Sequence, residues 1–148
     1  MKKILFVCHG NICRSPMAEY LFKHLAAQAG RAGDFEVASA AVSTEETGND
    51  IYPPAKRKLR EKGVPFASHA ARQITRADYA HYDYIICMDR SNLRLLACRI
   101  GDDSGNKVSL MMQWADINRD VADPWYTGDF EATYEDLLIG CQALLKQL

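Results

Sequence analysis

The sequence predicts an α/β fold, a doubly wound four-stranded parallel sheet with helices on both faces, in a single domain spanning residues 1–148. Three observations predict it. Short β-branched and aromatic runs alternate with helical stretches along the chain, the pattern of a mostly parallel sheet. The first run, Ile4-Leu5-Phe6-Val7-Cys8, reads as a buried strand rather than a surface one. The length of 148 residues, with 48% hydrophobic and 25% charged residues, suits one domain with a real core, and no repeat, linker or low-complexity tract divides it.

The elements follow in order. Lys3 to Val7 is the first strand, ended by the polar loop that holds Gly10. Ser15-Pro16 reads as a helix start, with Ser15 as N-cap and Pro16 at the first helical position, where a missing N–H costs nothing. Met17, Leu21, Phe22, Leu25 and Ala29 recur at helical spacing, and Gly30 is the stop. Phe35 to Val42 is a second strand, and Pro54 to Lys62 a basic helix ended by Gly63. Thr75 caps a short helix that includes Tyr79, Tyr82 to Met88 is a third strand, and Asn92 to Ile100 a helix. A turn over Gly101 to Asn106 leads into a weaker strand, Lys107 to Met111. The last helix begins near Asp129, with Phe130, Tyr134, Leu137, Leu138, Cys141, Leu144 and Leu145 as its apolar stripe.

The bulk numbers exclude several functions. A net charge of -1 gives no global attraction to nucleic acid or an anionic membrane. The apolar run after Lys2 and Lys3 ends after five residues, too short for a membrane span or a signal peptide. Five cysteines, at 8, 13, 87, 98 and 141, are an odd and irregular set that argues for free thiols in a reducing, cytoplasmic setting.

In doubly wound sheets ligands gather at the carboxyl ends of the strands, where Cys8-His9-Gly10-Asn11-Ile12-Cys13-Arg14-Ser15 lies. The spacing Cys-x5-Arg is weak by itself: five cysteines and ten arginines in 148 residues supply about 0.3 such matches by chance. Its setting raises its value, with a strand before it and an amphipathic helix behind. A tight loop entering a helix N-terminus aims successive N–H groups at one point, which suits a phosphate. The backbone of His9, Gly10, Asn11, Ile12, Cys13 and Arg14 is the expected cradle, making this a phosphate loop after the first strand. Gly10 allows turn conformations and close approach of the ligand, and Arg14 offers a two-pronged donor for phosphate oxygens. Free cysteine titrates near ~8.5, and helix N-termini with nearby cations lower this to roughly 3.5–7.5, so Cys8 is expected to be a thiolate nucleophile. Ser15 is placed to donate to that thiolate as it leaves a phosphoenzyme. Three other readings stay open from the residues alone: buried core thiols, a metal site using Cys8, His9 and Cys13, and a silent phosphate-binding module.

Val7-Cys8-His9-Gly10-Asn11-Ile12-Cys13-Arg14-Ser15-Pro16-Met17-Ala18 closely resembles the signature of the low-molecular-weight protein tyrosine phosphatases. Ser68 to Ile74, Ile86-Cys87-Met88-Asp89 and Asp123-Pro124-Trp125-Tyr126 resemble further segments of that family, so that the likeness covers essentially the whole chain. The resemblance implies a cysteine-dependent phosphatase acting on phosphotyrosine in proteins and on small aryl phosphates. It implies Asp123 as the general acid and then the base, with Pro124 holding it extended and a Gly128-containing loop bringing it over the phosphate. It implies that Asn11 and His69 brace the loop from behind, and that Trp125 and Tyr126 wall the substrate cleft. Cys13 shares the loop, and oxidation would let it form a protective disulfide with Cys8.

The chain departs from the family at one place. Glu45, in the polar run Ser43 to Thr47, falls where many members carry an aromatic cleft residue, so the cleft is expected to be more open; Tyr52 is the candidate replacement ring. Two relatives in fold are rivals. Arsenate reductases need two further redox-active cysteines close together, and Cys87 and Cys98 read as structural. Protein-arginine phosphatases tend to carry Thr where this chain has Ile12, whose apolar side chain better suits an aromatic ester. The scheme requires no cofactor and no metal. Its partner is a phosphotyrosine-containing protein, with no nucleic acid and no membrane, and the chain is expected to be a monomer or weak dimer.

Overall fold

The computed structural model describes residues 1–148. Its strands are β1 (Lys2–Cys8), β2 (Phe35–Ala41), β3 (Tyr84–Cys87) and β4 (Val108–Leu110). Its helices are α1 (Arg14–Gln28), α2 (Pro53–Glu61), α3 (Arg76–His81), α4 (Arg90–Ile100), α5 (Pro124–Thr127) and α6 (Phe130–Gln147), with 3-10 turns at Ala32–Asp34 and Met111–Ala115. The sheet is parallel throughout, in the order β2-β1-β3-β4. The sheet therefore grows from β1 to one side and then the other, and the crevice between the ends of β1 and β3 is where such sheets bind ligands.

β1 shows why its apolar run does not alternate. Ile4, Phe6 and Cys8 face a cluster built with α1, α2 and α6, while Leu5 and Val7 face a second cluster with Tyr82 and Leu96. Both faces are covered from Ile4 to Cys8, so every residue of that run is apolar. Phe22 of α1 carries much of the first cluster: its ring meets Phe6 at 6.0 Å and Phe35 edge-on at 5.0 Å. Within the predicted stripe of α1, Met17, Leu21 and Phe22 are buried, Leu25 is half-buried and Ala29 is exposed.

The structure corrects several boundaries. α1 starts at Arg14 with Cys13 as N-cap, so Ser15 and Pro16 lie inside the first turn and Ser15 is not a cap. The loop has already curled into helix by Cys13, whose carbonyl accepts from the Met17 N–H. β3 and β4 are shorter than the predicted Tyr82–Met88 and Lys107–Met111, because only the central residues of each run pair with a neighbouring strand. Asp123 caps the short helix α5, where the sequence predicts a loop.

α3 is placed by a capping box. Thr75 Oγ1 accepts from the Asp78 N–H, and Asp78 Oδ2 accepts from the Thr75 N–H at 2.8 Å. Asp78 Oδ2 also accepts from Arg72 Nη1 at 2.8 Å. Burial works to raise the Asp78 pKa, but the hydrogen bonds from Arg72 and Thr75 outweigh it and hold the carboxyl below its usual value. A group whose folded pKa is depressed stabilises the protein above its unfolded pKa, about 3.9, and loses that contribution as pH falls through the folded value. Asp78→Asn is therefore expected to cost about 1 kcal/mol at pH 7 in urea unfolding, with the difference from wild type shrinking below about pH 4. A difference that ignores pH would refute the ionic contribution.

Candidate active site

Cys8 ends β1, and the next five residues turn the chain into α1. The turn depends on Asn11, which adopts φ +62°, a left-handed conformation that asparagine tolerates better than most side chains. Gly10 is not in that region, which corrects the expectation that it supplies the turn. Gly10 matters instead for approach, since a Cβ there would lie 3.3 Å from Glu46 Cγ.

Asn11 is fully buried and held by every polar group it has. Its Oδ1 accepts from the Arg72 N–H at 3.2 Å, and its Nδ2 donates to Ser15 Oγ at 2.8 Å and Ser39 Oγ at 3.0 Å. Its carbonyl meets His69 Nε2 at 2.6 Å. The bracing role expected of Asn11 and His69 therefore has a geometric basis. Its N–H points at Cys8 Sγ, 3.3 Å away. Behind it, Ser39 Oγ donates to Glu19 Oε1 at 2.7 Å, and Glu19 pairs with Lys23.

Cys8, His9, Gly10, Ile12, Cys13 and Arg14 line an open pocket, completed by Glu45, Glu46, Asp123, Trp125 and Tyr126. Cys8 Sγ lies 3.0 Å from Ser15 Oγ. As a thiol the sulfur donates across this contact; as a thiolate it accepts from the hydroxyl. Arg14 is 2% exposed, although arginine is rarely buried unless paired. Its Nη1 donates to Asp89 Oδ2 at 2.6 Å and to the Val121 carbonyl at 2.9 Å, and its Nη2 to Asp123 Oδ2 at 3.2 Å. Burial disfavours its charge, and the charges of Cys8, Asp123 and Asp89 overcome this and raise its pKa above the usual value.

Asp123 is the N-cap of α5 and has extended backbone, as the following Pro124 demands. Its Oδ1 accepts from the Trp125 N–H at 3.1 Å. Gly128 ends α5 at φ +71°, a left-handed stop. Trp125 is 51% exposed and Tyr126 83% exposed at the mouth. Glu45 lies at the mouth, its Oε2 3.0 Å from His9 Nε2. Tyr52 does not replace the absent aromatic: its ring packs against Trp125 at 4.8 Å and Phe130 at 6.2 Å, away from the pocket lining.

The sequence reading missed Asp89, Glu46, Ser39 and Arg72. Asp89 stands two residues beyond β3, and its meeting with the end of β1 rests on the strand order rather than on any local signal. No group of three His, Cys, Asp or Glu side chains converges as a metal-ligand set, Cys8, His9 and Cys13 included. The five cysteines are all free thiols. Burial raises the pKa of Cys13, Cys87 and Cys141, and for Cys13 the charge of Cys8 adds to it. Cys87 is in the core, whereas Cys98 lies exposed on α4.

A family model described as low molecular weight phosphotyrosine protein phosphatase matches residues 3–148. The low molecular weight protein-tyrosine-phosphatase YfkJ of Bacillus subtilis is 37% identical over 150 residues, which span 100% of this chain and 96% of that protein. The YfkJ crystal structure superposes with a TM-score of 0.95 at 38% identity, covering 99% of this chain and 94% of that one. The crystal structure of a Drosophila arginine phosphatase gives a TM-score of 0.87 at 31% identity, covering 99% of this chain and 96% of that one.

Thiol reactivity tests this geometry. Iodoacetamide at neutral pH is expected to modify Cys8 and the exposed Cys98 and to spare Cys13, Cys87 and Cys141, as read by peptide mass spectrometry. Excess inorganic phosphate should protect Cys8 alone. Labelling of Cys13 ahead of Cys8 would overturn the assignment.

Proposed function

The chain belongs to the low-molecular-weight phosphotyrosine protein phosphatase family and is a protein-tyrosine phosphatase, and on that premise we propose that Cys8, Arg14, Asp123 and Ser15 carry the reaction. The observation that supports this most is the convergence on one pocket of a thiol at a helix N-terminus, a buried guanidinium and a carboxylate. The Cys8 thiolate attacks phosphorus in line, the bond from phosphorus to the tyrosine oxygen breaks, and Asp123 gives its proton to that oxygen. Asp123 then takes a proton from water as the water attacks the phosphocysteine. The P–S bond breaks, inorganic phosphate is released, and the Ser15 hydroxyl donates to the returning thiolate.

Arg14 binds two phosphate oxygens through N–H groups that its carboxylate partners leave free, with Asp89 and the Val121 carbonyl fixing its plane. The N–H groups from His9 to Arg14 supply the remaining donors, joined by the field of the α1 N-terminus. Asn11 and His69 hold the loop in shape. Trp125 and Tyr126 receive the tyrosine ring, and Glu45 borders the cleft.

Ile12 favours tyrosine over phosphoarginine. It is 8% exposed, packed with Cys13 and Ala71, and gives the pocket an apolar lining rather than a hydroxyl that could bond a guanidinium. No helix is long and apolar enough to cross a membrane. A reducing cytoplasm fits a nucleophile that must stay a free thiol. All proposed catalytic side chains come from one chain, which suits a monomer or weak dimer.

Turnover of phosphotyrosine peptides is expected to exceed that of phosphoserine and phosphoarginine peptides. Cys8→Ser should abolish it, and Arg14→Lys should nearly do so by losing the planar fork. Asp123→Ala should lower kcat by ~10²–10⁴ on an aryl phosphate with a poor leaving group. Unchanged turnover in that variant would falsify the acid assignment.

A further inference from the structure

The mouth of the pocket carries charge that a phosphate does not need. Glu45 and Glu46, between β2 and α2, both line it. The Glu45 side chain is 69% exposed and its carboxylate meets only His9. Glu46 Oε2 accepts from Asn49 Nδ2 at 2.6 Å, and its aliphatic stem lies over Gly10. Neither carboxylate has a lysine or arginine within ion-pair distance, whereas Asp50, Glu61 and Glu131 nearby in the same region are paired with Lys56, Lys58 and Lys62. The mouth's aromatic members, Trp125 and Tyr126, leave about half or more of their surface to solvent, and Trp125 is backed by Tyr52.

These two features agree on one kind of visitor. Two carboxylates beside a pocket for a dianion repel a bare phosphate, and positive charge carried by the substrate beside its phosphate offsets that repulsion. Exposed indole and phenol faces also attract cations, arginine above all. We propose that Glu45 and Glu46, with Trp125 and Tyr126, select phosphotyrosine flanked directly by arginine or lysine and reject phosphotyrosine flanked by acidic residues. Glu45 and Glu46 are then specificity-determining residues, acting on the substrate's neighbours and not on the reacting atoms. The inference rests on the phosphatase reading of the pocket.

The test compares kcat/KM on two peptides that differ only in Arg-phosphotyrosine-Arg against Glu-phosphotyrosine-Glu, with p-nitrophenyl phosphate as a flank-free reference. The basic peptide is expected to be favoured about tenfold at about 0.02 M salt, and less at about 0.3 M, where screening shortens the reach of exposed charges. The double variant Glu45→Gln, Glu46→Gln should bring the ratio close to one. Turnover of p-nitrophenyl phosphate with a wild-type peptide ratio near one overturns the selection and leaves the phosphatase reading standing. A ratio that the double variant leaves intact overturns it equally. Absence of p-nitrophenyl phosphate turnover in the wild type brings down both.

Discussion

A buried guanidinium organises this molecule. Arg14 sits at the start of α1 with almost no exposure, and such a cation is tolerated only where carboxylates and carbonyls compensate it. The compensation comes from two separate segments: Asp89, the N-cap of α4 just beyond β3, and Asp123, the N-cap of α5. Loss of one partner from a buried pair costs about 3–5 kcal/mol in general, so both segments are pinned to the loop by the same charge. The strand order makes this possible, because β1 and β3 are neighbours and their carboxyl ends open on one crevice. Asp89 bonds Arg14 on the nitrogen that also meets Val121, and Asp123 on the other. An anion entering the pocket competes with Asp123 for the guanidinium, while Asp89 and Val121 keep its plane in place.

The loop's shape is the second constraint, and it is held from outside the loop. The left-handed Asn11 would be unfavourable alone, yet Ser39 from β2, His69 and Arg72 from the segment before α3, and Ser15 from α1 all bond it. A strained residue persists when its surroundings over-determine it, and here the surroundings are three stretches: α1, β2 and the segment before α3. Ser39 extends the network to the buried carboxylate of Glu19. The loop's shape is thus fixed by its surroundings, which is the condition for electrostatic stabilisation without reorganisation.

This explains what was legible in the sequence. The loop from Cys8 to Ser15 is local: its strand, its turn and its helix are contiguous, so the arrangement of thiol, cradle and arginine could be read directly. Asp123 carried a local signal in Pro124, and its backbone is extended accordingly. Thr75 announced its helix by its own chemistry. The misreadings share a cause. Ser15 looked like a cap because caps are usually serine, but the loop had already turned helical and left its hydroxyl facing Cys8. Gly10 looked like the turn residue because glycine usually is, whereas the strain falls on Asn11, stabilised by partners up to 61 residues away. Asp89 and the Asp123–Arg14 contact depend on which strands are neighbours, and sequence patterning does not specify that order.

The same electrostatics separate the two cysteines of the loop. Cys8 and Cys13 both line the pocket and both are nearly buried, so exposure does not distinguish them. Their hydrogen bonding does. Cys8 has the Asn11 N–H and the Ser15 hydroxyl at its sulfur, groups that stabilise negative charge there. Cys13 has no such donor and is raised first by burial and then by the charge of Cys8 itself. Negative charge on one sulfur therefore opposes it on the other, as with any pair of like groups sharing a site. The Asn11 N–H and the Ser15 hydroxyl thus set the sulfur at the end of the strand apart from its neighbour in the loop.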